Sequence, residues 1–326
     1  MSTDPQPPGQ ERPYPEPTKT GTIPFEYPST GLKGETYYLV FGDLSSGKRP
    51  LICLHGGPGA GHNYILPISL ISKDYDIPVV MYDQVGCGKS THFPDKKNDG
   101  EFWKPEVFMD EFENLCSYLK ITEYDLLGQS WGGMLAGSYA IDRQPKGLNK
   151  IIISDSPADM ITWVSTANRL RKELPKDVQE TLTRCEEEEK TDTPEYEEAM
   201  MVFLNRYCCR LNPWPEEANA TMGNLSDPTQ TTYMTMNGPS EFHVIGTLKT
   251  WDIREGLKKI TSETAPGGLL VMNGYYDEAQ DETCVAYWTN PTCRTKWVRY
   301  GLSSHMPMLE ETEKYIKDLG IFLTAE

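Results

Sequence analysis

The sequence predicts an α/β protein, a mostly parallel sheet with helices on its faces and one helical insertion. Two observations predict it. Short apolar runs ending in turn residues recur along the chain, with helix-forming stretches between several of them, and strand alternating with helix implies parallel pairing. Between about residues 159 and 251 that rhythm stops and the sequence turns polar and helix-rich; beyond 251 the rhythm returns.

Eight of the 25 prolines fall in the first 28 residues, which marks residues 1–25 as an extended arm outside the core, with order expected from about Thr22. Strands are expected at 36–41, 51–54, 79–82, 124–127 and 151–154, then at 269–272 and 297–300; helices are expected at 108–119 and 134–141 among others. The division that follows is an α/β core of 26–158 and 252–326, with 159–251 as a helical cap. The acidic run 186–189 inside the cap reads as a solvated helix face.

Composition narrows the function. The chain has 326 residues, 38% of them hydrophobic and 24% charged, and a formal charge of −17. Nucleic acids and anionic membranes select Lys/Arg patches, so neither is expected as a partner; an amine-bearing ligand suits the acidic balance better. No apolar run approaches the ~20 residues of a membrane helix and no signal peptide is recognisable, so a cytoplasmic protein is expected. The eight cysteines (53, 87, 116, 185, 208, 209, 284 and 293) show no CxxC spacing and read as reduced thiols, with no zinc site and no organic cofactor implied. Oligomeric state is not legible.

The sharpest signal is Gly128-Gln129-Ser130-Trp131-Gly132, which follows an apolar strand and precedes a helix-forming stretch. A serine forced onto a tight strand-to-helix turn needs small residues two positions either side, and both are glycine. Its hydroxyl needs a base, and the base needs an acid. Of five histidines, His305 lies where a base would be required, after the last strand and before a C-terminal helix, whereas His55, His62, His92 and His243 lie in earlier loops or in the insertion. Asp277 follows the strand at 269–272 closely and would emerge at the same sheet edge; Asp281 is the nearby competitor, one turn into the next helix. The chain order Ser130, Asp277, His305 is that of an α/β-hydrolase. The backbone N–H of Trp131 and one from the loop His55-Gly56-Gly57-Pro58-Gly59 are the expected donors to the oxyanion. Two glycine-rich stretches are decoys. Gly86-Cys87-Gly88-Lys89-Ser90 has Asp83 where a phosphate loop needs glycine, and residues 56–61 lack the dinucleotide spacing.

With these residues in place the sequence resembles the proline iminopeptidases, serine peptidases of the α/β-hydrolase fold. The resemblance rests on HGGPG at 55–59, DQVGCGKS at 83–90, GQSWGG at 128–133, NGYYDE at 273–278 and SSHMPMLE at 303–310. The segment 233–242 with GTLKTWDI at 246–253 is similar to the archaeal aminopeptidase that works beside the tricorn protease and to fungal amino acid amidases. The resemblance spans about residues 30–320. It implies Ser130, Asp277 and His305 as the triad and Gly57 with Trp131 as the oxyanion hole. It further implies Glu241, Glu278 and Tyr233 as the pocket for the substrate's α-ammonium group. The plainer alternative for each glutamate is a solvated charge at the end of an element.

The expected function is a serine hydrolase that releases N-terminal residues, often proline, from short peptides or cleaves amino acid amides. Its partner would be a small-molecule or short-peptide substrate with a free amine. The rivals are an esterase, lactonase or amide hydrolase of a biosynthetic pathway, and a non-catalytic binding protein on the same fold.

Overall fold

The computed structural model describes residues 4–28 and 30–326. Among these the chain forms one eight-stranded sheet in the order β1-β2-β4-β3-β5-β6-β7-β8. The strands are β1 (Lys19–Glu26), β2 (Lys33–Phe41), β3 (Leu51–Leu54), β4 (Val79–Tyr82), β5 (Tyr124–Gln129), β6 (Leu148–Ser154), β7 (Gly268–Gly274) and β8 (Thr295–Tyr300). The hairpin β1–β2 and the pair β2–β4 are antiparallel; β4, β3, β5, β6, β7 and β8 run parallel. Strands β3, β4, β5 and β7 are buried along their whole length, which is why they read as continuous apolar runs rather than as alternation. This is the expected fold class.

The helices in chain order are α1 (Leu70–Asp74), α2 (Pro105–Leu119), α3 (Trp131–Arg143), α4 (Met160–Arg171), α5 (Lys176–Glu187), α6 (Pro194–Tyr207), α7 (Glu216–Leu225), α8 (Thr232–Met236), α9 (Asp281–Thr289), α10 (Pro307–Glu310) and α11 (Thr312–Thr324). Helix α2 begins with Pro105, whose missing N–H costs nothing in a first turn, and ends on Lys120 in the left-handed conformation. Helices α4 to α8 all lie between β6 and β7. The ends of that segment are clamped together: Met160 donates to the Trp251 carbonyl (2.9 Å), Ile253 donates to that of Ala158 (3.0 Å), and Asp159 bridges Asp252. Asp159 also caps α4, accepting from the Thr162 N–H at 2.8 Å. None of the described helices is long and apolar enough to cross a membrane.

Two expectations about the N-terminus need correcting. Order does not wait for Thr22: β1 starts at Lys19 and buries Ile23 and Phe25 under the sheet edge. Pro24 disguised it, but an edge strand tolerates a residue that cannot donate to a ladder. The preceding arm is extended but not detached. Pro7 is buried, the Gly9 N–H donates to the Glu310 carbonyl (2.9 Å), and Arg12 pairs with Asp74 (2.9 Å) and Glu313 (2.6 Å). Arg210 ties the arm to the rest. Its guanidinium stacks 3.6 Å from the centre of the Tyr276 ring and donates to the carbonyls of Pro5 and Leu302.

Arg210→Ala therefore strands two carbonyls and a ring face at the junction of three segments. A loss of about 1.5–3 kcal/mol is expected, read as a lowered urea midpoint at unchanged m-value. A variant as stable as the parent would show that the arm rests on the surface without holding it.

Candidate active site

The parallel strands all point their C-terminal ends to one edge, where α/β sheets place ligands. At that edge β5 runs into Ser130 and directly into α3. Ser130 sits at φ 55°, ψ −124°, a conformation that L-residues avoid unless the surroundings impose it. The surroundings here are backbone. A Cβ on Gly128 would stand 2.0 Å from the Gly132 carbonyl oxygen, and one on Gly132 would stand 2.1 Å from that of Leu54. The turn is further held by the Ser130 N–H on the Ser154 carbonyl (2.9 Å) and by Gly133 and Met134 donating to the Ser130 carbonyl. Trp131 is the first residue of α3, so its N–H has no acceptor within the helix and lies at the positive end of the helix dipole. Its indole is buried and donates to Gln84 Oε1 at 2.9 Å.

The loop after β3 passes against this turn. A Cβ on Gly56 would meet the Ser130 Cβ at 2.9 Å, and Gly57 holds φ +108°, where a side chain would strike the backbone of Gly59 at 2.5 Å. Tyr64 pins the loop by accepting from the Gly56 N–H (2.7 Å) while donating to Gln129 Oε1.

His305 follows β8 on a loop fixed from both sides. Its carbonyl accepts from Gln129 Nε2 (2.9 Å), and the Ser304 N–H and Oγ both donate to the buried Glu310 carboxylate (2.7 and 2.8 Å). The imidazole Nδ1 lies 2.7 Å from Asp277 Oδ1, which also accepts from the Ala279 N–H at 2.7 Å. A carboxylate at that distance makes Nδ1 the protonated nitrogen and turns Nε2 towards the cavity. Asp277 is fully buried behind the ring. Asp281 faces away, engaged by Asn273 (3.0 Å) and Arg299 (3.2 Å). Three of the four other histidines are occupied elsewhere: His55 accepts from the Gln84 N–H and is pushed down to about 4 by burial, His62 pairs with Asp83, and His92 meets Thr229.

A cavity of about 390 Å³ opens at this point, and Gly57, Ser130, Tyr233, Glu241, Glu278 and His305 all line it. Asp277 and Trp131 stand behind the wall. Tyr233 Oη donates to Glu241 Oε1 at 2.5 Å, and Glu278 Oε1 lies 3.9 Å from His305 Nε2. Glu278 is 3% exposed and its Oε2 has no partner. Burial raises Glu241, and burial raises Glu278 well above the usual carboxylate range, with Glu241 and Asp277 adding to the rise and His305 opposing it. Burial alone would lower His305, but Asp277, Glu278 and Glu241 outweigh it and lift the imidazolium to about 9. The site is thus a pocket in which Glu241, Glu278 and Asp277 surround one imidazole, beside a serine on a strained turn, with Lys97 also among its lining residues. Met200, Met222, Phe203 and Phe242 supply an apolar wall opposite.

Sequence reasoning missed two carboxyls that shape this edge. Glu310 holds the histidine loop, and Asp155, at the end of β6, contacts the Asp277 carboxyl. Only the turn-like Asp-Ser-Pro after an apolar strand hinted at Asp155.

Residues 49–247 match the model of a family described as having the alpha/beta hydrolase fold. A proline iminopeptidase of Heyndrickxia coagulans is 36% identical over 283 residues, which cover 87% of this chain and 93% of the relative. One from Saccharolobus solfataricus is 34% identical over 291 residues, covering 88% of each. Among solved structures, that of VinJ superposes with a TM-score of 0.86 at 42% identity, covering 94% of this chain and 99% of that one. The proline iminopeptidase of Mycobacterium smegmatis does so with a TM-score of 0.80 at 37% identity, covering 94% and 97%. The chain belongs to the proline iminopeptidase family of α/β hydrolases.

Proposed function

We propose that the protein is a serine aminopeptidase that releases an N-terminal residue, proline among those accepted, from short peptides or amides through an acyl-enzyme. One observation carries the reading: Glu241 and Glu278 line the same cavity as Ser130 and His305. Two carboxyls desolvated beside a nucleophile are costly unless a cation meets them, and a substrate's free α-ammonium is that cation. An ester or lactone without an amine would leave Glu278 Oε2 without a donor and both glutamates without the ammonium charge.

In this mechanism Ser130 Oγ attacks the carbonyl carbon as His305 Nε2 takes its proton, and Asp277 steadies the imidazolium through Nδ1–H. The N–H groups of Trp131 and Gly57 receive the oxyanion. His305 then protonates the leaving amine, and water, activated by the same imidazole, releases the acyl group. Tyr233 holds Glu241 in place for the ammonium. Helices α4 to α8, residues 159–251, serve as the cap that brings Glu241 and the apolar wall over the core. The eight cysteines are all unpaired and buried, which suits a reducing, cytoplasmic setting.

Three measurements test this. Ser130→Ala is expected to abolish turnover and labelling by a fluorophosphonate while melting like the parent; a mutant that still labels removes Ser130 from the nucleophile's role. Glu241→Gln is expected to lower kcat/KM for free-amine arylamides by about 10- to 150-fold, the equivalent of one charged hydrogen bond, while barely changing an uncharged ester. If the mutant keeps the parent's ratio of free-amine to acetylated substrate, the aminopeptidase reading gives way to the esterase or lactonase one.

The third concerns pH. A base works only when neutral, so activity climbs as pH rises through the His305 value, and the neighbouring carboxylates move that limb upward in the free enzyme. A bound ammonium offsets those carboxylates and lowers the histidine again. The acidic limb of kcat should therefore lie at lower pH than that of kcat/KM for an aminoacyl substrate, and the two should coincide for an amine-free ester. An equal separation for both substrates would contradict it.

A further inference from the structure

Behind the histidine stands an arrangement that the reaction as written does not use. Strand β6 lies between β5, which runs into Ser130, and β7, which leads to Asp277. Its last residue is followed by Asp155, so topology alone brings a second carboxyl to the back of the catalytic acid. Asp155 is fully buried and holds φ 52°, a left-handed conformation that favours glycine. Its N–H donates to the Met272 carbonyl at 2.7 Å, which ties it to β7.

The oxygens do not balance if both acids are ionised. Asp277 Oδ1 is taken by His305 and by the Ala279 N–H, while Oδ2 is buried with no donor. Asp155 Oδ2 accepts from Ser154 Oγ at 2.5 Å, and that hydroxyl accepts from Tyr315 Oη at 3.1 Å; Asp155 Oδ1 is buried with no donor either. The two carboxyl groups are in hydrogen-bonding contact. Two buried acceptors without a protein donor, on carboxyl groups in contact with each other, are both satisfied by one shared proton.

We infer that Asp155 is a positioning residue that keeps its carboxyl proton and donates it to Oδ2 of Asp277, so that the pair behind His305 carries a single negative charge with all four oxygens engaged. The surroundings agree. Burial, the charge of Asp277 and the hydrogen bond to it hold the Asp155 carboxyl well above the usual range, with Glu310 adding to the effect. The other titratable groups facing it, Tyr64, Tyr300, Tyr315 and Cys284, are all neutral there, because burial raises each of them. No cation is among them. In the reaction the donor fixes the rotation of the Asp277 carboxyl, and hence the direction of Nε2. It also limits the charge at the ring's back, since a second full anion there would lift the imidazolium further and weaken the base.

The inference rests on the triad of the proposed function but not on its substrate, so the readout is the rate of fluorophosphonate labelling as a function of pH, which needs no amine. If the parent does not label at all, the triad reading fails first. Given a parent that labels, Asp155→Gly, a substitution the backbone conformation favours, is expected to slow labelling about 10-fold or more by leaving Asp277 Oδ2 without a donor. Asp155→Asn, whose amide can donate to Asp277 and accept from Ser154, is expected to recover most of that rate with the acidic limb at the parent's pH. An infrared difference spectrum of parent minus Asp155→Asn at neutral pH should show the carbonyl band of a neutral carboxylic acid. Three results would each overturn the inference: a glycine variant that labels at the parent's rate, an asparagine variant whose limb moves to lower pH because an anion has been removed, or a difference spectrum showing only a carboxylate. Should the glycine variant fail to fold, the asparagine limb and the infrared band still decide.

Discussion

Everything at the catalytic edge depends on how closely α3 approaches the ends of β3 and β5. The approach is backbone on backbone: glycine at 128 and 132 leaves no atom between the helix and the Leu54 carbonyl, where any Cβ would sit at about 2 Å. From that contact follow the left-handed φ of Ser130, the exposure of its hydroxyl and the aim of the Trp131 N–H along the helix axis. The strain is stored where the chemistry needs it and is repaid by buried strands on either side. Gly56 and Gly57 continue the same logic one strand away: a Cβ on Gly56 would meet the Ser130 Cβ at 2.9 Å, and Gly57 holds φ +108°, where a side chain would strike the backbone of Gly59.

Around that scaffold the protein gathers an excess of buried acid. Asp277 and Asp155 stand behind the imidazole, and Glu278 and Glu241 in front of it, all four buried or nearly so. Such a cluster is unfavourable in isolation, because four carboxyls lose their water around a single imidazole. Under the proposed function, the energetic deficit in front is what a substrate's ammonium would relieve. The deficit behind has no access to substrate and is relieved by a shared proton. One histidine therefore stands between two acidic pairs that are neutralised by different means.

Much of this was legible in the sequence, for physical reasons. Strands buried on both faces announce themselves as apolar runs, so the central sheet could be read directly, and the turn at Ser130 could be read because only glycine fits at 128 and 132. His305 could be found by elimination, since the chain has so few histidines and only one follows the last strand. What escaped reading was whatever depends on contacts between distant segments. Strand β1 was hidden by Pro24 and by its place at the edge; the arm's hold on the core runs through Arg210, far away in the chain. Glu241 and Glu278 belong to different parts of the fold and carried no local pattern, so resemblance alone pointed to them.

Asp155 shows the limit most sharply. Read along the chain it is a polar residue opening a turn before Ser156 and Pro157, indistinguishable from other turn aspartates. Its importance arises only from strand order: β6 is inserted in space between the strand of the nucleophile and the strand of the acid, although β7 comes more than a hundred residues later in sequence. The cap inserted between β6 and β7 makes that separation, and so the segment that brings Glu241 to the front of the histidine is also the one that hides the neighbour at its back. A fold that grafts specificity into the connection after β6 leaves the end of β6 itself free to serve the acid. Its residue there need not touch substrate to influence how strongly His305 pulls on the serine proton.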